Sequence, residues 1–102
     1  MTSKPARNEL KLNIDTAQWE WLRSHLERGG LLFVSPDLDL VEAGFGIASD
    51  DVPAVSEWIA RRKITKPSAE QLFDWDAMPE TSFRMLIISP YVLIQLLEPL
   101  SS

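Results

Sequence analysis

At 102 residues, with 45% hydrophobic and 25% charged side chains, the chain has the size and composition of a single globular domain with a modest core. Fifteen Asp and Glu against ten Lys and Arg give a net charge of -5, a field that repels phosphate backbones and anionic lipid and leaves room only for a local basic patch. There is no cysteine, which excludes disulfides, a thiolate metal site and a cysteine nucleophile, and is compatible with the cytosol.

Residues 1–9 are polar and include Pro5, the composition of a disordered tail. They hold no apolar stretch, so no secretory signal is expected, and a single globular domain is expected over 10–100. Leu10, Leu12 and Ile14 alternate as a short strand would. Asp15 followed by Gln18 has capping-box spacing and predicts a helix from that point. Its buried stripe would be Trp19, Leu22 and Leu26, and Gly29-Gly30 would stop it. The segment Leu31 to Ser35 then reads as a strand buried on both faces.

Asp39 with Glu42 starts a second helix. Leu38, Val41, Phe45 and Ala48 share one side, and Leu40, Ala43 and Ile47 the neighbouring one. A helix apolar over so wide an arc belongs in the centre. Gly44 and Gly46 each cost about 1 kcal/mol against alanine in a helix interior; close approach of another element's backbone would offset that, and a break in the helix is the alternative. Asp50 or Asp51 caps a third helix, with Pro53 in its first turn. Its stripe is Val52, Val55 and Ile59, with Trp58 at the edge, and Arg61, Arg62 and Lys63 crowd its end.

Pro67-Ser68 opens a fourth short helix over 68–78, Ser68 and Gln71 in capping-box spacing and Leu72 and Trp75 inward, ending at Met78-Pro79. Phe83 to Ser89 reads as a strand, Pro90-Tyr91 as a turn, and Val92 to Leu97 as another strand, with a helix as the alternative. The apolar run from Met85 to Leu97 contains Ser89, Pro90 and Gln95, and falls short of the roughly 20 residues of a membrane helix. The expected fold is therefore α+β: three to four helices packed with a small antiparallel sheet, in winged-helix order. In that order the third helix would be the reading helix and the last strands the wing. The helix at 68–78 departs from the simple pattern.

Few residues promise chemistry. Asp37, Asp39 and Glu42 could hold a divalent cation through oxygen ligands, but helix capping accounts for Asp39 and Glu42 and a loop for Asp37. Asp50-Asp51 reads the same way, and Asp74, Asp76 and Glu80 read as solvated. His25 is the lone histidine and lies off its helix stripe with no nucleophile facing it, so it reads as a surface or boundary residue rather than a general base. Arg61, Arg62, Lys63 and Lys66 form the one basic cluster. They could touch nucleic acid, yet cations at a helix C-terminus also complement the macrodipole, and Asp50, Asp51 and Glu57 occupy the end of that helix where bases are read. Four tryptophans are many for this length. Trp19 and Trp75 fit core stripes; Trp21 and Trp58 are less clearly inward, and an exposed aromatic would mark a partner surface. Gly44-Phe45-Gly46 is too weak a motif to argue for a nucleotide, and no cofactor is expected.

Several stretches carry a resemblance: Leu10 to Val34, Leu38 to Asp51, the Trp58-Ile59 pair, Lys66 to Gln71 with Trp75, and Leu86 to Gln95. Together, over roughly residues 10–97, they resemble the bacterial family known as domain of unknown function 2288. Leu38-Asp39-Leu40-Val41-Glu42 and Pro90-Tyr91-Val92-Leu93-Ile94-Gln95 are the most distinctive pieces. The resemblance implies a compact, freestanding, cytoplasmic bacterial protein. It transfers no catalytic or binding residue.

The leading functional reading is a non-enzymatic domain that binds another protein or itself, with Trp21, Tyr91 and Gln95 as candidate contact residues on exposed aromatics and the C-terminal strand. The second is a winged-helix nucleic-acid binder using Arg61, Arg62, Lys63 and Lys66. The third is a divalent-metal enzyme built on Asp37, Asp39 and Glu42. No membrane partner is expected.

Overall fold

The computed structural model describes residues 6–27 and 29–97. The chain runs α1 (Arg7–Leu12), β1 (Asp15–Gln18), α2 (Trp19–Glu27), β2 (Leu31–Val34), α3 (Leu40–Ala48), α4 (Val52–Ala60), β3 (Ile64–Thr65), α5 (Ala69–Ala77), β4 (Ser82–Ile88) and β5 (Tyr91–Leu96). The strands form one five-stranded sheet in the order β1-β4-β5-β2-β3. β2 runs parallel to β5, and every other neighbour is antiparallel. The domain is a small α+β unit. The expected winged-helix order is not confirmed, because the sheet is mixed, holds five strands and has helices on both faces.

The parallel pair at the centre explains why Leu31 to Val34 and Val92 to Ile94 read as unbroken apolar runs. Strands covered on both faces need apolar side chains in both directions, and Leu31, Val34, Val92, Leu93 and Ile94 are all buried. Alternation assigns the faces. Val34, Ile64, Leu86 and Leu93 meet Leu10 of α1 and Leu40 and Ala43 of α3. Leu31, Phe83, Val92 and Ile94 meet Trp19 and Leu22 of α2 and Trp75 of α5. On that second face Trp75 sits 5.0 Å from Trp19 and meets Phe83 edge-on at 4.9 Å, a geometry that aligns ring edge with ring face.

Several expectations give way at the N-terminus. Asp15 does not cap a helix: Asp15–Gln18 is an edge strand paired with Ser82 to Met85. The first turn of α2 is satisfied instead by backbone, Trp19 N–H donating to Thr81 O at 2.9 Å and Glu20 N–H to Pro79 O at 3.1 Å. Leu10 and Leu12 belong to a helix rather than a strand, so Arg7, Asn8 and Glu9 lie in α1 and not in a tail; residues 1–5 of that expected tail lie outside the described residues. α1 is tied to α3, where Arg7 pairs with Glu42 and lies 4.1 Å over the Phe45 ring.

Other local readings hold. Asp39 caps α3 by accepting from Val41 N–H, Asp51 caps α4 by accepting from Ala54 N–H, and Ser68 and Gln71 form a reciprocal capping box on α5. Gly44 and Gly46 do mark close approach, by side chains rather than backbone: a Cβ on Gly44 would stand 2.5 Å from Leu86 Cδ2, and one on Gly46 2.7 Å from the Trp58 ring. Val92 onward is strand, ending at Leu96.

Candidate functional site

The chain leaves α3 through a tight turn in which Asp50 adopts φ 56, a left-handed conformation that Asp tolerates better than most residues. Asp51 and Pro53 then start α4 in a new direction. α4 docks through Trp58, whose ring fills the space over Gly46. This contradicts the expected packing, in which Val52, Val55 and Ile59 face the core. Trp58 lies on the adjacent side of the helix, so seating it turns the stripe outward. Val52 is 59% and Ile59 55% exposed.

That stripe walls an open groove of about 490 Å³. Ile47 of α3, Leu32 of β2 and Tyr91 of β5 complete its apolar lining, with Asp50 and Asp51 at one end and Lys66 beside Thr65 on the strand side. The volume lies in the range of ligand and partner-binding clefts. The groove was missed in the sequence because a helical apolar stripe signals burial without saying what buries it.

The predicted contact residues separate. Tyr91, 40% exposed, lines the groove. Trp21, 51% exposed, stacks on the half-buried His25 ring at 4.8 Å on α2, across the sheet from the groove. Gln95 is not a surface residue: it is buried, and its Nε2 donates to Ser35 O at 2.9 Å and Leu38 O at 2.7 Å, holding the loop that leads into α3.

The basic cluster is also divided. Arg61 pairs with Glu57 at 3.1 Å, Lys63 pairs with Asp37, and Lys66 turns to the groove. A second, smaller cleft near Arg61 and Lys63 carries Asp37 and Glu57 as well, so the cations do not form a continuous positive surface for phosphates. The acids Asp37, Asp39 and Glu42 do not converge on a common point. Asp37 accepts from Lys63 and Ser35, Asp39 from Val41 N–H, and Glu42 from Arg7. The Lys63 ammonium, and after it the Ser35 hydroxyl, hold the Asp37 carboxyl below its ordinary pKa. Among the described residues no group of three or more His, Cys, Asp or Glu side chains could hold a metal ion, and no helix is long and apolar enough to cross a membrane.

A family model described as protein of unknown function (DUF2288) matches residues 5–96. The chain is also similar to an NMR solution structure of PA1075 from Pseudomonas aeruginosa, with a TM-score of 0.77 and 26% identity over 91% of this chain and 85% of that one. No curated protein matches the chain.

Proposed function

The chain belongs to the DUF2288 family of proteins of unknown function, and on that footing we propose that it is a non-enzymatic protein-interaction domain of the bacterial cytoplasm that works through the groove beside α4. One observation carries the reading. Val52, Ile59 and Tyr91 are large apolar side chains, each at least 40% exposed, gathered around one groove. A contiguous exposed apolar patch of this kind, rimmed by charge, is what protein contact surfaces present. The acids that could have served a metal enzyme are engaged in capping and ion pairs, and two of the four cations that could have served nucleic acid are paired with carboxylates.

The test is recovery of binding partners from bacterial cells with tagged wild type and three single variants. Tyr91→Ala and Ile59→Asp should lose the partners, and Trp21→Ala, on the opposite face, should keep them. Recovery of the same set by all four chains would refute the reading.

A further inference from the structure

We propose that the occupant of the groove is a second copy of this chain, seated by antiparallel pairing of α4 with α4 of its mate. The inference rests on the interaction reading above and names the partner. A two-fold contact requires one surface patch to complement itself, and α4 meets that requirement. Its outward stripe is Val52, Val55 and Ile59, with the small exposed Ser56 at its middle. Its N-terminal end carries Asp50 and Asp51, and its C-terminal end is followed at once by Arg61 and Arg62.

Charge then selects the orientation. The helix is about 14 Å long at 1.5 Å per residue. Laid antiparallel, the two helices bring the carboxylates of one chain beside the guanidinium groups of the other at both ends, and the macrodipoles oppose. Laid parallel, they bring like charge against like. The Arg61–Glu57 pair within α4 does not prevent this, because both side chains are largely exposed and exposed pairs at this spacing are weak. The two-fold axis passes near Val55 and Ser56, midway along the stripe. Each α4 thereby covers the apolar wall that the other leaves open.

The chain has no cysteine, so single cysteines report the geometry directly. Paired helix axes lie 8–10 Å apart, within reach of a disulfide at facing positions. Under mild oxidation Ser56→Cys should cross-link to itself. Val52→Cys and Ile59→Cys should each fail alone and cross-link when mixed, read on a gel with chains of two sizes. Sedimentation velocity should show a monomer–dimer equilibrium for wild type. Its dissociation constant should rise by roughly 100-fold or more in Ile59→Asp, where a charge would be buried unpaired, and should also rise in the exposed double variant Arg61→Glu/Arg62→Glu, with the far-UV circular dichroism of both unchanged.

Self-cross-linking of Val52→Cys or of Ile59→Cys that exceeds the mixture would overturn the antiparallel pairing. A strict monomer in the wild type at hundreds of micromolar would overturn the second copy as occupant. If Ile59→Asp still loses a cellular partner in that case, the interaction reading survives without it; if it loses none, both fall.

Discussion

Replacing Gln95 with leucine removes two hydrogen-bond donors while keeping volume and shape. In the native fold the Gln95 amide joins the middle of the sheet to the Ser35–Asp39 loop, which positions the cap of α3. The Ser35 carbonyl would keep the Leu38 N–H at 3.0 Å, whereas the Leu38 carbonyl would lose its 2.7 Å donor. Two net hydrogen bonds are worth about 1–3 kcal/mol together. The mid-range loss of about 2 kcal/mol corresponds to a fall in melting temperature of roughly 8–16 °C for a domain of this size. Glutamate at the same position should be worse at neutral pH, since its carboxylate would face two carbonyl oxygens with no proton to give. Burial against acceptors raises a carboxyl pKa, so the folded variant binds its proton more tightly than the unfolded chain and its stability falls as pH rises. Gln95→Glu should therefore recover part of its loss toward acid pH, and Gln95→Leu should not. Thermal melts followed by circular dichroism at two pH values measure both. A Gln95→Leu protein melting within about 2 °C of wild type would refute the claim that this amide holds the loop.

Three further outcomes follow from local geometry. A Cβ on Gly30 would lie 2.6 Å from the Pro90 carbonyl oxygen, and backbone cannot swing aside as a side-chain tip can; Gly30→Ala should cost about 1–3 kcal/mol, seen as a lower urea midpoint at unchanged slope. Ser68→Ala removes one half of the capping box on α5 and should cost about 1 kcal/mol in the same assay. Lys63→Met should return the Asp37 carboxyl toward its ordinary pKa, followed by NMR titration of that side chain, because Lys63 is the largest cause of the depression. A depressed carboxyl contributes stability above its unfolded pKa and loses it as pH falls through the folded value, so this variant should lack that part of the wild type's acid limb.

The helix ends were the most legible part of the fold. Asp39, Asp51 and Ser68 act on N–H groups two or three residues away, so the information lies within one turn of chain. Asp15 and Gln18 had the same spacing and went elsewhere. The unpaired edge of β4 offered a full ladder to residues 15–18, and the carbonyls of Pro79 and Thr81 supplied the acceptors that a cap would have served. Backbone pairing with a distant strand outweighed a local side-chain bond, and no window of a few residues contains that alternative. The winged-helix order failed for a related reason: element order is a property of the chain, whereas the β2–β5 parallel pair is a contact across some 60 residues.

The site divides along the same line. Sequence alone established a single domain built from capped helices and apolar strands, acidic overall, without thiol chemistry, and rich in aromatic residues. Those are consequences of composition and short-range spacing. Tertiary structure decided which apolar stripes are buried. The Trp58 ring fits the space over Gly46, and seating it there rotates Val52 and Ile59 out to the solvent. It also took Gln95 from the list of surface residues into the core and set Trp21 and Tyr91 on opposite sides of the sheet. Periodicity fixes which side chains share a face of a helix; only the packing of one helix against its neighbours fixes where that face points.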